Sequence, residues 1–297
     1  CSFATVQAAI DAAESTDADD EIWITRDVAG GYYQNQALLI EGLRGGLKIV
    51  GGFDNCHDVT PSGVTELHGN GGPRESVLRI YGGDVSLANL RFTRGDVSAH
   101  SGAGISYLGS GSLLIEDSII DNNESLSGGG GIGVVANGGR VTFTVRRTEI
   151  SDNRSDTFGG GIQFSQLSLS APQIVSAFFG ADVRINRNYA RQGGGGLMTE
   201  GWTILQALDG GFQMHGNGTL GDGGAILAET RPLEVYIATG GAVGSMGTFV
   251  GNEARNGGAI ALSNRPDATH TGGDAFLALT SYDFAHPLVF STNRAHE

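Results

Sequence analysis

An apolar residue, two spacers and an asparagine, then a polar stretch, then a glycine run closed by an aliphatic residue: this phrase recurs along the chain. It restricts the fold more than any other feature. It runs Ile120–Asn123 to Gly128–Ile132, Ile150–Asn153 to Gly159–Ile162, Ile185–Asn188 to Gly193–Leu197, Met214–Asn217 to Gly223–Ile226, and Phe249–Asn252 to Gly257–Ile260. A sixth start, Phe290–Asn293, has no glycine run behind it. The asparagines are separated by 30, 35, 29, 35 and 41 residues. Self-similarity at about 30 residues is the mark of units that stack on one another in a solenoid. A coil of three short strands plus turns needs that length, with loops absorbing the spread. Hairpin sheets would not bring like residues to the same place in every copy.

With each asparagine counted as position zero, position −3 is always large and apolar: Ile120, Ile150, Ile185, Met214, Phe249, Phe290. Strand alternation then turns −5 and −3 inward and −6, −4 and −2 outward. Parallel stacking sets each asparagine about 4.8 Å from the next. Asn123, Asn153, Asn188, Asn217, Asn252 and Asn293 are therefore read as a structural amide ladder, seated in the left-handed turn conformation that Asn tolerates. The glycines supply positive φ and close backbone approach. On the outer face, Asp117, Arg147 and Asp182 at −6, and Glu149 and Arg184 at −4, alternate in sign between neighbouring coils. They are read as an ion-pair ladder, each pair contributing about 0.2–1 kcal/mol.

Residues 1–14 are assigned to an N-terminal capping helix and 15–297 to one parallel β-helix. Phe3, Val6, Gln7 and Ile10 fall at helical spacing, and such a helix can cover the exposed end of a solenoid. Strand-like runs follow at Glu21–Thr25, Ala37–Glu41, Leu47–Val50, Val64–Leu67, Val77–Tyr81, Val85–Leu87 and Leu90–Phe92. The net charge of −14 argues against nucleic acid and anionic lipid as partners. No apolar run approaches a membrane span of about 18 residues. Three readings stand open for the two cysteines, Cys1 and Cys56: a disulfide stapling the N-terminal segment to the first coils, two free thiols, or a lipid-modified Cys1. The disulfide is the favoured one and implies an oxidising compartment.

The pairing of Phe249-Val-Gly-Asn252 with Gly257-Gly-Ala-Ile260, and Gly223-Gly-Ala-Ile226, resembles the FxxN and GGA[ILV] repeats of chlamydial polymorphic outer membrane proteins. The opening Phe3-Ala-Thr-Val-Gln-Ala-Ala-Ile-Asp11 resembles the entry segment of pectin-lyase-like proteins. Together these resemblances imply an all-β, right-handed parallel β-helix over nearly the whole chain. They imply little about function, because that superfamily holds lyases, hydrolases, adhesins and autotransporter passengers. Gly159-Gly-Gly161 and Gly193–Gly196 depart from the repeat by placing Gly where Ala is usual.

No catalytic or metal-ligating residue is assigned. The alternating signs at −6 and −4 suit ion pairs and not a calcium cluster, which needs in-phase carboxylates. The NTD, GHG and RIK motifs of polygalacturonases are missing, and Asp19-Asp20 is a chance match to their DD. The seven histidines show neither H-x-x-x-H nor HExxH spacing. No cofactor is expected; weak structural Ca²⁺ is conceivable at Gly95-Asp96, Gly221-Asp222, Gly273-Asp274 and the Asp17–Glu21 loop. Trp202 and Tyr189, with Trp23 and Tyr107, are candidate sugar-stacking rings, although core or interface packing is the commoner fate of such rings.

The interrupted phrase at Phe290–Asn293 leaves an open edge. The expectation is a chain that continues or is trimmed there, or self-association or a partner at that edge. The sequence reading is thus a secreted or cell-surface rod, adhesive or filament-forming. The alternatives are a polysaccharide lyase or hydrolase and a non-catalytic glycan-binding β-helix.

Overall fold

The computed structural model describes residues 2–26, 30–69, 75–167, 175–200, 203–207, 211–229, 233–239, 247–263, 275–281 and 289–296. Its strands form parallel sheets in which each strand pairs with its counterpart one coil later. Among the described residues the fold is an all-β parallel solenoid with one short helix. Hairpins are excluded by the register itself. Leu67 pairs with Phe92, Phe92 with Ile120, and the row continues through Ile150, Ile185, Met214, Phe249 and Phe290 without a slip.

Three sheets run along the stack. One has eight strands, from Thr65–His68 to Val289–Ser291, and carries the residues before each asparagine. A second has seven two-residue strands, from Asp96–Val97 to Arg294–Ala295, just after the asparagines. The third has fifteen strands and divides into two lanes. In two coils a single strand, Ile105–Glu116 or Ile132–Arg146, crosses both lanes, with a register shift between Ala136 and Val141. In the next coil the lanes separate into Ile162–Gln166 and Val175–Phe179. The extra residues of the longer coils fall at the two ends of the second lane, so variation in length leaves the register of the other strands intact.

The inward positions fill one continuous apolar core from Val6 to Phe249. Aromatic rings interlock along it, Phe143 meeting Phe164 edge-on at 5.3 Å and Phe212 meeting Phe249 at 5.5 Å. Positions −3 and −5 are buried as alternation requires from Ile120 to Phe249, Ser118 and Thr148 at −5 among them, while Phe290 in the last −3 place is 45% exposed. Position −2 is only partly outward: Asp121 and Ser151 are buried there.

The helix spans Val6–Glu14 and starts later than its apolar spacing suggests. Thr5 is extended and its Oγ1 accepts from the Ala8 N–H at 3.1 Å, which caps the first turn. Phe3 therefore lies outside the helix and is exposed. Val6, Ala9, Ile10 and Ala13 form the buried stripe. Gln7 behaves as a short piece of strand: its Nε2 donates to the Leu39 carbonyl at 2.9 Å and its Oε1 accepts from the Leu39 N–H at 2.8 Å. Glu14 accepts from the Glu41 N–H at 2.6 Å. The helix thus satisfies backbone groups along the edge of Leu38–Ile40.

Candidate functional site

The most ordered polar feature is the row of asparagines. Asn123, Asn153, Asn188, Asn217 and Asn252 are almost wholly buried. From Asn153 onward each side-chain Oδ1 accepts twice from the coil before it. For Asn188 the donors are the backbone N–H and the Nδ2 of Asn153, both at 3.0 Å. Each Nδ2 donates twice, to the next Oδ1 and to the carbonyl of the −3 residue of the preceding coil. For Asn188 these are Asn217 at 3.1 Å and Ile150 at 2.8 Å. The pattern repeats up to Asn293, whose Nδ2 donates to the Phe249 carbonyl at 2.9 Å. It starts at Gly95, whose N–H donates to Asn123 Oδ1 at 2.8 Å. Two accepted and two donated bonds leave no inner amide unsatisfied.

The asparagine is not the left-handed residue of its turn. That conformation falls one place earlier, on Asn122, Asp152, Arg187, Gly216, Gly251 and Thr292. It recurs at −6 on Asn89, Asp117, Arg147 and Asp182. The reason is the inward side chain: the corner must be turned before the asparagine for its amide to point down the axis. A non-glycine residue in this region costs about 1–2 kcal/mol, so the corners are sites of strain held by the stack.

Both corners carry ion pairs. Arg147 donates to Asp117 through Nε at 2.7 Å and Nη2 at 2.8 Å. That hydrogen bond from Arg147 holds the Asp117 carboxyl below its ordinary value. Arg187 grips Asp152 in the same way at 2.9 and 2.7 Å. The expected ladder is thus partly rearranged. Glu149 and Arg184 pair through their backbones, but the Glu149 carboxylate faces Arg187 at 3.7 Å. Among the described residues no ion pair joins Arg147 to Asp182. The αL corners project side chains of successive coils side by side, which explains why these two bidentate contacts form there.

A second polar group sits on the outer face of the eight-stranded sheet. Arg91 bridges Glu66 at 3.1 Å and Asp121 at 3.0 and 2.6 Å. Asp121, above all, holds the Arg91 guanidinium charged. His68 Nε2 lies 3.0 Å from Glu66, and its ring stacks on Tyr32 at 3.9 Å. Sequence reading missed this cluster. Its only signal was an arginine at −4, one coil after a glutamate and one coil before an aspartate at −2.

Ser76, His100 and Glu75 approach the outline of a nucleophilic triad, with His100 Nδ1 3.5 Å from Ser76 Oγ and Nε2 3.2 Å from Glu75. The chemistry does not follow. Ser76 Oγ donates to the Gly102 carbonyl at 2.5 Å and is buried. His100 Nδ1 also faces the Ser101 carbonyl at 3.4 Å, which calls for a proton on that nitrogen. A protonated Nδ1 cannot accept the serine proton.

The remaining sequence candidates are dispersed. Tyr189 lies half-buried under the Arg154 guanidinium, 5.7 Å from its ring centre. Tyr107 is fully buried and donates to the Gly83 and Ser110 carbonyls. Trp202, Cys1 and the Gly273-Asp274 pair lie outside the described residues. No cysteine among the described residues is free. Of the carboxylates considered for calcium, five have protein partners: Asp17 with Arg44, Asp19 with the Gly46 N–H, Asp20 with Thr16, Glu21 with Lys48, and Asp222 with Arg255 and Asn256, while Asp96 is exposed on its two-residue strand. Among the described residues no three His, Cys, Asp or Glu side chains gather as metal ligands. No helix among them is long and apolar enough to cross a membrane.

Neither a family model, nor a curated protein, nor a solved structure matches this chain.

Proposed function

We propose that this chain is an exported structural module: a rigid β-solenoid rod of the pectin-lyase-like kind that displays its loops for adhesive contact at or outside a cell surface. The observation that carries the reading is the amide spine. It runs from Gly95 to Asn293 with its inner asparagines buried and fully bonded. A spine of this kind resists bending and sliding between coils, which is what a spacer or display rod requires. Insertions are confined to the ends of one lane, so the loops can vary without disturbing the rod. Export rests on reading the two cysteines, Cys1 and Cys56, as a disulfide, a bond that persists in oxidising compartments.

The test is hydrodynamic and enzymatic together. Sedimentation and small-angle scattering of the purified chain should give an elongated particle, and attachment of coated beads to cells or matrix should exceed that of a loop-deleted variant. Release of reducing ends, or of unsaturated uronates, from a panel of plant, algal and bacterial polysaccharides would overturn the proposal in favour of a lyase or hydrolase.

A further inference from the structure

Among the exposed apolar side chains of the described residues, some lie at the helix end of the chain. Phe3, Trp23 and Val59 expose 48%, 50% and 74% of their surface. Phe3 and Trp23 line one cleft of about 300 Å³, and Asp58, the neighbour of Val59, lines it too. This volume lies at the lower end of small-molecule sites and has room for one or two sugar rings.

Trp23 is held as a platform. Its indole lies nearly parallel to the buried Phe53 ring, with centroids 4.9 Å apart and 16° between planes. The Glu21 carboxylate lines the same cleft. Lys48 in turn fixes Glu21 at 2.9 Å, and the same contact holds that carboxyl below its ordinary value. An exposed tryptophan ring is costly to maintain and flat; backed by Phe53, it loses little freedom when something stacks on it.

The charges around it decide what that something is. Glu21 is matched by Lys48, and the Asp58 carboxylate accepts from the Asn55 N–H and Nδ2, both at 3.0 Å. Lys48 neutralises Glu21, and Asn55 occupies the Asp58 oxygens without neutralising them, so a cation would meet one carboxylate and not an acidic aromatic cage. The overall charge of −14 repels polyanions. What remains is an aromatic plane beside neutral hydrogen-bonding groups, the Tyr33 and Thr25 hydroxyls and the Asn55 amide. We infer that this cleft binds an uncharged saccharide, whose pyranose C–H face stacks on Trp23 while its hydroxyls bond to the rim. The site is non-catalytic and stands independently of the rod reading.

The chain has two tryptophans, so Trp202→Phe leaves Trp23 as its only indole. That variant is titrated with the uncharged trimers of glucose, mannose, galactose and N-acetylglucosamine, followed by indole emission and calorimetry. Tetramethylammonium and trigalacturonate serve as charged probes. At least one uncharged trimer should bind and shift the emission. In the wild-type background Trp23→Ala should weaken binding at least tenfold and Phe3→Ala more than twofold, with thermal unfolding retained. Trp23→Phe, which keeps a flat ring, should recover part of the loss. Failure of all four trimers to bind, undiminished binding by Trp23→Ala, or preference for either charged probe would overturn the inference.

Discussion

Removal of one asparagine from the middle of the spine tests whether the amides hold the rod together. Asn188→Ala deletes the acceptor used by the Asn153 backbone N–H and by one Asn153 Nδ2 proton. It also removes a donor from the Ile150 carbonyl and one of the two donors to Asn217 Oδ1. Asn217 Oδ1 keeps the Asn188 backbone N–H at 3.0 Å, so its loss is partial. The two orphaned donors are buried beside Asn188, which is 1% exposed. At about 1–3 kcal/mol for each buried unsatisfied group, and with little gain from so small a cavity, the expected destabilisation is about 4 kcal/mol. For a chain of this size that is a fall in melting temperature of about 8 °C.

Urea denaturation and calorimetry on the same preparations measure the loss. Asn217→Ala should match Asn188→Ala, since its bonds are the same in kind. The Asn153→Ala/Asn188→Ala double variant should lose less than the sum of its parts, because the first substitution has already removed the Nδ2, one of the two donors that the second orphans. Asn188→Asp should be worse than Ala at neutral pH: a second oxygen replaces Nδ2 and faces the Asn217 Oδ1 and Ile150 oxygens. Arg191→Ala, an exposed site three residues away, should change stability by less than about 0.5 kcal/mol. A loss below about 1 kcal/mol for Asn188→Ala, or one equal to that of Arg191→Ala, would refute the argument.

Three further outcomes are expected. A Cβ at Gly160 would lie 2.4 Å from the Gly195 carbonyl oxygen and 2.5 Å from Tyr189 backbone, so Gly160→Ala should cost more than about 3 kcal/mol in a melting assay. Gly161→Ala should cost about 1 kcal/mol, because the equivalent place holds Ala225 and Ala259 in later coils. Burial lowers the His215 pKa, so below about pH 6.5 the unfolded chain takes up a proton that the folded chain refuses, and stability falls as pH drops. Asp117, with its folded value depressed by Arg147, adds a second loss below about pH 4, and His215→Gln should flatten only the first, as read from denaturation midpoints across pH. If Cys1 and Cys56 are joined, peptide mapping without reductant yields one linked fragment, and reduction destabilises by about 4 kcal/mol through a loop of roughly 55 residues.

The solenoid was legible because two positions tolerate so little. The −3 residue must be large and apolar to fill the axis, and the residue at zero must both donate and accept to continue the spine; Ile-x-x-Asn records both demands. The phrase reaches further back than its asparagines show. Phe92 stands in the −3 row, but Gly95 occupies the zero position and offers only a backbone N–H to Asn123. A backbone group leaves no trace in a side-chain pattern, so this coil was hidden. The left-handed corner was misplaced for a related reason. Asn favours that conformation in isolation, but here its side chain serves the neighbouring coils, and the turn moved to Asp152, Arg187 and even Thr292.

The charged flank was only half legible, because a sign pattern records which residues are neighbours but not which backbone conformation presents them. Asp117 and Arg147 were identified as partners and meet at an αL corner. Asp152 and Arg187 meet at the other corner and were overlooked, while Glu149 and Arg184 are opposite in sign and in register yet do not pair. Along a strand, side chains of adjacent coils can lean apart; at a corner the backbone fixes their direction. The same reasoning separates the aromatic residues. Tyr107 and Tyr189 lie within the repeat, where neighbouring coils bury the one and partly cover the other. Trp23 lies on Asp20–Thr25, which pairs with Leu47–Phe53 before the asparagine spine begins. A ring outside the spine is free of the packing that the spine imposes, and its exposure there calls for a ligand-based explanation that the repeat itself cannot supply.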